Sequence, residues 1–330
     1  HCRCSSNGMM TDRPSPQVAL ITGIGGQDGH YLRTYLEELK YRVVGVDRIR
    51  SVPSTDQNIS HLDLTKFEIV KELIATEQPH EIYNLAALHR VEHQTKKGDV
   101  FSMMETNTNI VLNLLEAIRQ ISPQTRLFQA GSSEIFGNSW DTDGKQRLRT
   151  PMRPISLYGY TKLIAHNTVC HYRTAHGIYA CTGFLYNHES PRRSPHFVTA
   201  KIVKTAVEIK KGIKNVLELG NIESGRDWGH SADYVRAMHL ALQHFTPRDW
   251  IVATGKIRSI KEVCEYVFSE LDLDYRKYVV KNESFVRTEY KNPPCGDATA
   301  THELLGWTRQ HSFYTMLDQM IEYWEAQVQN

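Results

Sequence analysis

The chain has 330 residues, of which 40% are hydrophobic and 23% are charged, and its formal net charge is +2. This length allows one large domain or two modest ones with a sizeable core, and the composition is typical of a globular protein. So small a net charge gives no reason to expect a nucleic-acid partner. No apolar run approaches the roughly 20 residues needed to span a bilayer, so no membrane association is predicted.

The cysteines and histidines lack the spacings that indicate a metal site or a disulfide framework. None of the six cysteines forms a C-x-x-C pair, and the sixteen histidines form no H-E-x-x-H cluster. We therefore predict no metal, no structural disulfide and a reducing, cytoplasmic location.

A strand, a glycine-rich turn, a helix and a second strand are predicted at the start of the ordered chain. The apolar run that begins at Val18 leads into Gly23, Gly26 and Gly29, and the second strand ends in Asp47. Glycines allow the backbone to approach a pyrophosphate, and the helix N-terminus favours its negative charge. A glycine-rich turn without a ligand is the alternative, but the acid after the second strand favours a dinucleotide site.

Residues near the end of the second strand bear on the choice of cofactor. A carboxylate such as Asp47 can accept hydrogen bonds from ribose hydroxyls and repels a 2′-phosphate, which favours NAD. Arg48 and Arg50 favour NADP instead, since either can pair with its 2′-phosphate. Asp63, farther along, is expected to face the adenine edge.

Alternating strands and helices continue after this unit. Repeated βα units predict a Rossmann-type, doubly wound parallel sheet, which binds ligands at the carboxyl ends of its strands. Helices are predicted at 66–76, 106–118 and 158–175, and strands with their turns at 81–87, 126–137 and 179–187.

Beyond Asn187 the rhythm changes to a mixture of short strands and helices. We predict a dinucleotide-binding domain over 14–190 and a smaller C-terminal α/β lobe over 191–330, with 226–254 packing back on the first domain. The adjacent arginines Arg192 and Arg193 could contact phosphate or carboxylate, or form a solvated charge pair. Predicted elements of the second part are helices at 198–211, 232–245 and 259–271, a strand at 250–254 and a last helix carrying Phe313 to Trp324.

Tyr158 and Lys162 are four residues apart, which places them on one face of a helix. A neighbouring ammonium favours the ionised form of a phenol, so the pair could provide a base. The ordinary amphipathic helix is the alternative. Ser132, Ser133 and Glu134 follow a predicted strand and are expected beside this pair.

These residues together resemble the extended short-chain dehydrogenase/reductase family, in its nucleotide-sugar branch. The glycine turn, Asn84 to Ala87, the Ser132 region and the Tyr158/Lys162 spacing are its general marks. GQDG at 26–29, SSEIFG at 132–137, LYNHESPRR at 185–193 and LGNIESGRDWGHSADYV at 219–235 resemble the 4,6-dehydratases of that branch, which act on GDP-sugars.

The resemblance implies an internal redox cycle on a GDP-sugar. Tyr158 would take the proton of the C4 hydroxyl, Lys162 would lower the Tyr158 pKa, and Ser132 would bind the C4 oxygen. Glu134 would remove the C5 proton so that the C6 hydroxyl leaves as water. A plain C4 dehydrogenase needs no Glu134, so this residue discriminates the two reactions. The alternatives are an epimerase, a reductase, a 5,6-dehydratase or a cofactor-binding homologue with little turnover.

The resemblance also implies binding residues, cofactor and assembly. NAD or NADP would be tightly bound and regenerated in each cycle, and the protein would form a homodimer or a homotetramer. Arg226 and Asn187 would bind the pyrophosphate region and Arg193 the nucleotide end. The expected cofactor residues are Gly23, Gly26, Gln27, Asp28, Gly29, Asp47, Arg48, Asp63, Leu64, Leu85, Ala86, Tyr158 and Lys162. The expected substrate residues are Ser133, Asn187, Arg192, Arg193, Lys201, Arg226, Arg287 and Glu289.

The chain departs from the family pattern at three places. The family usually has an arginine pair after the second strand, whereas here Asp47 precedes Arg48 and Ile49 replaces the other arginine. The loop after that strand is short, and in the family it carries contacts between subunits, which weighs against the tetramer. Arg287 and Glu289 match the family's Arg-Pro-x-Glu motif only in part.

Overall fold

The computed structural model describes residues 16–48, 59–89, 99–285 and 291–328. Its strands are β1 Val18–Thr22, β2 Arg42–Asp47, β3 Ile59–His61, β4 Glu81–Asn84, β5 Arg126–Ser132, β6 Ala180–Leu185, β7 Asn187–Glu189, β8 Leu217–Leu219, β9 Gly225–His230, β10 Trp250–Val252, β11 Ile257–Ser259 and β12 Val279–Lys281. Its helices are α1 Gln27–Glu38, α2 Phe67–Glu77, α3 Asp99–Ile121, α4 Leu157–His176, α5 Val198–Lys210, α6 Ser231–Gln243, α7 Ile260–Glu270, α8 Thr299–Leu305 and α9 Phe313–Gln327.

The largest sheet has seven strands in the order β10-β6-β5-β4-β1-β2-β3. All of its neighbouring strands run parallel. The chain builds outward from β1 in one direction through β2 and β3, then returns to β4 and continues the other way. The crevice at the carboxyl ends of β1 and β4 is therefore the place where such a sheet binds its ligand. The predicted Rossmann-type fold class is confirmed.

Alternating side chains of each central strand enter two separate cores. Ala19 and Ile21 of β1 pack into the core beneath α1 and α6, whereas Leu20 faces the core beneath α2, α3 and α4. In β5 the same alternation places Phe128 in the first core and Leu127 in the second. This period of two explains why a sheet covered by helices on both faces has nearly continuous apolar strands.

A third core holds the smaller lobe together. It joins α5, α7 and α9 with β8, and its centre includes Val203, Val267, Phe268 and Met320. Two small sheets border this lobe, one of the order β11-β9-β7 and one pairing β12 with β8. The division of the chain near residue 190 stays a prediction.

Several predicted boundaries differ from the observed ones. Helix α3 begins at Asp99 rather than at 106, because its first turns carry exposed side chains that give little apolar pattern. The strand predicted with its turn at 179–187 ends at Leu185, and a separate short strand, β7, begins at Asn187. Strands β8 and β9 were not predicted, since each is short and gains its stability from pairing with distant strands.

None of the helices in the described part of the chain combines the length and apolarity of a membrane span.

Two glycines of the turn after β1 are required by close packing. Gly23 has φ +68°, and a Cβ there would lie 2.9 Å from the backbone of Ala86. A Cβ at Gly29 would lie 2.4 Å from the carbonyl oxygen of Ile24. Both contacts are with backbone, so the neighbouring chain would have to move to admit a side chain.

We expect Gly29→Ala to lower the free energy of unfolding by roughly 2 kcal/mol, as overpacking a close backbone contact does. Chemical denaturation of the purified protein measures the change. Gly26→Ala is the matched control, because its Cβ would meet only the Gly23 carbonyl oxygen, at 3.3 Å. Equal loss of stability in the two variants would contradict this explanation.

Candidate active site

The glycine turn lies directly against the end of β4. Leu85 donates its backbone N–H to the Thr22 carbonyl at 3.3 Å, and Ala86 donates to the Thr22 hydroxyl at 3.1 Å. Gly26 is the N-cap of α1 and provides no side-chain cap for its first amides. Glycine backbone and helix amides thus meet at the crevice between β1 and β4, an arrangement that fits a pyrophosphate.

Asp47 lies at the end of β2, beside this turn. One of its carboxylate oxygens accepts a hydrogen bond from the Gly25 N–H at 2.9 Å. Arg48 follows it and is exposed, while Arg50 falls outside the described residues. The Asp47 carboxylate therefore holds the glycine turn in place. It lies where the ribose of a dinucleotide would be, next to the pyrophosphate.

Asp63 and Leu64 follow β3 and serve the local structure there. The Asp63 carboxylate accepts hydrogen bonds from the Thr65 N–H at 3.1 Å and the Thr65 hydroxyl at 2.6 Å. Leu64 is buried, and its carbonyl accepts a hydrogen bond from Asn113. Contact of Asp63 with an adenine stays a prediction.

Gln27 and Asp28, at the start of α1, connect the glycine turn to the segment around β7. The Gln27 amide donates to the His188 carbonyl at 3.1 Å and accepts from the Ser190 hydroxyl at 2.6 Å. Asp28 forms an ion pair with His188 at 2.7 Å and accepts a hydrogen bond from Ser231 at 2.6 Å. Residues that are distant in sequence are thereby fixed at one point.

The ion pair between Asp28 and His188 shifts both pKa values toward the charged forms. Burial acts to raise the pKa of Asp28, but the charge and hydrogen bond of His188 outweigh it and lower that pKa. Burial acts to lower the pKa of His188, and the Asp28 carboxylate reverses the effect and raises it. The imidazole also contacts the Tyr186 carbonyl at 2.7 Å, which fixes the ring.

Ser132 ends β5 and caps a short 3₁₀ turn over Ser133–Phe136. Its hydroxyl accepts the Glu134 N–H at 3.2 Å, whereas Ser133 is buried inside the turn. One Glu134 carboxylate oxygen accepts a hydrogen bond from the Ser156 hydroxyl at 2.5 Å. Ser156 is also the N-cap of α4, so Glu134 is fixed to the beginning of the helix that carries Tyr158.

Tyr158 and Lys162 lie side by side on α4, as predicted. The Lys162 ammonium lies 5.5 Å from the Tyr158 ring centroid and donates to the Ala130 carbonyl at 2.8 Å. The expectation of a lowered Tyr158 pKa is wrong in this arrangement, because burial and the nearby Glu134 charge raise it. Burial lowers the pKa of Lys162 to about 8, against the opposing charge of Glu134.

The pKa of Glu134 shifts in the opposite direction to that of Tyr158 and is lowered. Burial acts to raise its pKa, but His89 outweighs it, together with the Ser156 hydrogen bond and the Arg226 charge, and the pKa of Glu134 falls below the ordinary value. The site therefore combines a carboxylate that is ionised at neutral pH with a phenol that holds its proton firmly. Two groups of different proton affinity are what two successive proton transfers require.

His89 and Phe197 also line this site, and the sequence analysis missed both. The His89 ring lies 4.3 Å from the Tyr158 ring, centroid to centroid, and 5.4 Å from the Phe197 ring. Arg193, in turn, lies over Phe197 at 3.4 Å and pairs with buried Glu189 at 3.1 Å. The place of His89 just beyond β4 could have indicated it, since strand ends carry the ligand contacts in this fold.

The remaining predicted substrate residues that the structure describes lie on β7, β9 and α5 and in the segment between β7 and α5. Asn187 lies on β7, next in sequence to His188 of the ion pair, and Arg192 is exposed. Arg226, on β9, donates to the Gly225 carbonyl at 2.6 Å. Lys201 on α5 donates to the Glu218 carbonyl at 2.7 Å, within the smaller lobe. Arg287 and Glu289 lie outside the described residues.

A cluster that was not predicted brings His166, Cys170 and Asp249 together, with possible ligand atoms within 4.8 Å of one another. Both Asp249 oxygens accept hydrogen bonds from Arg173, and one also accepts from the Thr182 N–H. These bonds occupy the carboxylate as an ion-pair partner, and we assign no metal to the cluster.

Comparison with known proteins identifies close relatives in sequence. A family model described as GDP-mannose 4,6 dehydratase matches residues 20–320. GDP-mannose 4,6 dehydratase 2 of Arabidopsis thaliana is 37% identical over 331 residues, which cover 93% of this chain and 86% of that protein. GDP-mannose 4,6-dehydratase of Sinorhizobium fredii is 35% identical over 351 residues, covering 94% of this chain and 97% of that protein.

Solved structures share the fold at lower sequence identity. dTDP-glucose 4,6-dehydratase from Bacillus anthracis, in complex with NAD, has a TM-score of 0.81 at 19% identity, covering 94% of this chain and 97% of that chain. RMD from Pseudomonas aeruginosa, complexed with NADPH, has a TM-score of 0.81 at 21% identity, with coverages of 95% and 99%.

We expect Asp28→Asn to lower the free energy of unfolding by roughly 3 kcal/mol, since it leaves one partner of a buried ion pair uncompensated. Because the pKa of His188 is raised in the folded state, His188 contributes its full stabilisation below about pH 6.5, the ordinary histidine pKa. This contribution is lost as the pH rises through the pKa that His188 has in the folded protein. The lowered pKa of Asp28 stabilises it above about pH 4 and is lost at more acidic pH. The difference between wild type and variant should therefore be largest from about pH 4 to pH 6.5.

Urea unfolding at a series of pH values measures this window. Asp272→Asn is the control, because Asp272 forms an exposed ion pair with Lys210 at 3.3 Å. A stability difference for Asp28→Asn that does not vary with pH would contradict the role of the ion pair.

Proposed function

Because the chain belongs to the GDP-mannose 4,6-dehydratase family, we propose that it converts GDP-mannose to GDP-4-keto-6-deoxymannose. The reaction is an NAD(P)-dependent dehydration, in which C4 is oxidised, water leaves across C5 and C6, and C6 is reduced. The observation that supports this assignment is the place of Glu134 beside Tyr158, since its charge acts directly on the phenol. A plain C4 oxidation requires the phenol and the lysine, and only an elimination requires the carboxylate.

The described residues fit a dinucleotide. The glycine turn and the uncapped amides of α1 would hold the pyrophosphate, Asp47 the ribose, and Lys162 the ribose next to the nicotinamide. When bound, the nicotinamide accepts the hydride from C4 and supplies the hydride that C6 receives. Asp47 favours NAD and Arg48 favours NADP, and mass spectrometry of nucleotide released from denatured protein identifies the one present.

Oxidation at C4 requires removal of the hydroxyl proton. The Tyr158 Oη takes this proton as a phenolate, and the Ser132 hydroxyl binds the same C4 oxygen. Burial and the Glu134 charge give the Tyr158 phenol a raised pKa, so its phenolate is a strong proton acceptor. Forming the phenolate is unfavourable for the same reason, and the Lys162 ammonium, 5.5 Å from the ring centroid, is the positive charge that favours it.

The C4 ketone acidifies the C5 proton, and Glu134 is ionised to accept it. As the C5–H bond breaks, a C5–C6 double bond forms and the C6–O bond breaks. The protonated Glu134 then gives its proton to the departing oxygen, which leaves as water. As hydride adds to C6, C5 regains a proton from the Tyr158 hydroxyl, which restores the phenolate and closes the cycle.

The GDP part of the substrate would lie toward the smaller lobe. Arg226 would pair with the pyrophosphate and Arg193 would bind the nucleotide end. Both contribute positive charge near the site, since the Arg226 charge acts on Glu134 and the Arg193 charge acts on Tyr158. Asn187 would contribute an amide to the same region. A guanidinium matches phosphate geometry with two parallel N–H donors, which suits this role.

A homodimer is proposed from the outer faces of α3 and α4. These two helices pack against each other, and their outer faces expose Phe101, Leu112, Tyr160 and Ile164. Neighbouring apolar side chains on two long helices form a surface that a second copy can cover. The four described free cysteines suit a reducing compartment, so we place the protein in the cytoplasm.

Glu134→Gln should separate the two chemical stages. We expect formation of the dehydrated product to fall by roughly 10²–10⁴-fold while C4 oxidation continues, because the amide accepts no proton. Tyr158→Phe should abolish both stages. Mass spectrometry of the sugar nucleotide detects water loss, and absorbance of reduced nicotinamide reports oxidation.

The control for these variants is Glu283→Gln, which changes an exposed glutamate of the smaller lobe. Undiminished water loss by Glu134→Gln would rule out the assigned base. Consumption of added reduced cofactor by the wild type would indicate a reductase instead of an internal cycle.

Ile164→Glu should convert the dimer to a monomer, since it places a charge in the proposed contact surface. Sedimentation equilibrium measures the mass in solution. Val280→Glu alters an exposed apolar residue on β12 and should leave the dimer intact. A wild type that sediments as a monomer would refute the proposed assembly.

A further inference from the structure

The elimination that we propose makes two demands on one carboxylate. Glu134 must receive a proton from C5 and then deliver it to the oxygen on C6, so its oxygens must stay aimed at the sugar through both transfers. An error of about 1 Å in such an aim can cost roughly 10²-fold in rate. The contacts that orient Glu134 therefore affect the rate of the elimination.

Each oxygen of the Glu134 carboxylate has a contact with a different element. One oxygen accepts the Ser156 hydroxyl at 2.5 Å, and Ser156 is fixed in turn by the Gly159 N–H at 3.0 Å. The other oxygen lies 3.6 Å from the His89 Nε2. The carboxylate thus lies between the first turn of α4 and the segment that leaves β4.

His89 has its own support. Its ring meets the Tyr158 ring edge to face at an interplanar angle of 76°, and it packs on Phe197 at 37°. The Arg193 guanidinium lies over the Phe197 ring, 3.4 Å from its centroid. This series of ring contacts fixes the direction of the imidazole, and the side chain retains 31% exposure.

We propose that His89 is a positioning residue for the elimination, which orients the Glu134 carboxylate for proton transfer at C5. The proposal rests on the proposed dehydratase function. The imidazole acts through Glu134, whose second oxygen it faces, while its edge limits the tilt of Tyr158. A contact of 3.6 Å lies beyond the usual hydrogen-bond length, and such contacts in catalytic sites shorten when substrate is bound.

Charge around the pair is consistent with this role. Among the described residues, Glu134 is the carboxylate that pairs with His89, and the Arg226 charge acts on the same carboxylate from β9. The presence of His89 favours the ionised carboxylate against the effect of burial. Loss of the imidazole should therefore make Glu134 both less well aimed and more readily protonated.

The test compares His89→Phe and His89→Gln with wild type in single-turnover reactions with GDP-mannose. His89→Phe keeps a ring against Tyr158 and Phe197 but lacks the nitrogen that faces Glu134. We expect it to slow water loss roughly 10- to 100-fold, less than removal of a general base costs, while C4 oxidation stays close to the wild-type rate. His89→Gln should recover part of the loss, because its amide can donate a hydrogen bond to the carboxylate.

A substrate deuterated at C5 provides the decisive kinetic readout. The isotope effect on water loss should be larger in His89→Phe than in wild type, because C5 proton transfer becomes the slow step. His176→Phe is the matched control, since His176 is exposed in the last turn of α4 and should leave every rate unchanged. An unchanged isotope effect, or equal loss of oxidation and elimination, would overturn the proposal.

An infrared titration distinguishes failure of this proposal from failure of the proposed function. The Glu134 carboxylate signal, identified by its loss in Glu134→Gln, is titrated in wild type and in His89→Phe without substrate. We expect the pKa of Glu134 to be higher in His89→Phe, and equal values would overturn the inference. A wild type that does not dehydrate GDP-mannose would refute the proposed function, and the titration would still decide the His89 contact.

Discussion

The buried ion pair between Asp28 and His188 holds together the three parts of the chain that form the site. Asp28 belongs to the first turn of α1, directly after the glycine turn, and His188 lies on β7 where the chain leaves the large sheet. Ser231, at the start of α6, donates to the second Asp28 oxygen at 2.6 Å. Charged groups this well buried are tolerated because each has its partner and further hydrogen bonds. The glycine turn and β7 are consequently fixed relative to each other.

A second consequence of burial is the difference in proton affinity between the groups at the site. Burial acts against the charged form of Glu134, Tyr158 and Lys162 alike, but the neighbours of each group differ. Glu134 has His89, Ser156 and Arg226 near it, and its pKa falls. Tyr158 has the Glu134 carboxylate near it, and its pKa rises. One site thereby holds a weak base, Glu134, that is ionised at neutral pH and a strong base, the Tyr158 phenolate, that must be generated, which matches the two proton transfers of the proposed reaction.

Much of the sheet and part of the site could be predicted from the sequence. Apolar runs bounded by glycine or polar residues indicated the central strands, because a sheet covered on both faces needs apolar side chains on both. The GQDG, SSEIFG and NHESPRR stretches led to the family resemblance, which the matches over most of the chain confirm. Short strands such as β8 and β9 were missed, since their partners are distant in sequence. The shift of the Tyr158 pKa was predicted in the wrong direction. Sequence spacing shows that Lys162 lies one helical turn away, but it does not show that Tyr158 is buried or that the Glu134 carboxylate lies beside it.

The sequence by itself determined the fold class, the glycine turn and the Tyr158/Lys162 pair. Each of these depends on local periodicity or on a motif whose residues are neighbours in the chain. Only the tertiary structure decided that Asp28 pairs with His188, 160 residues later, and that His89 meets Glu134 and Tyr158. The physical reason is that a residue type shows which contacts a side chain can make. The contact it does make, and the protonation state that follows, depend on which elements the folded sheet brings to the same edge.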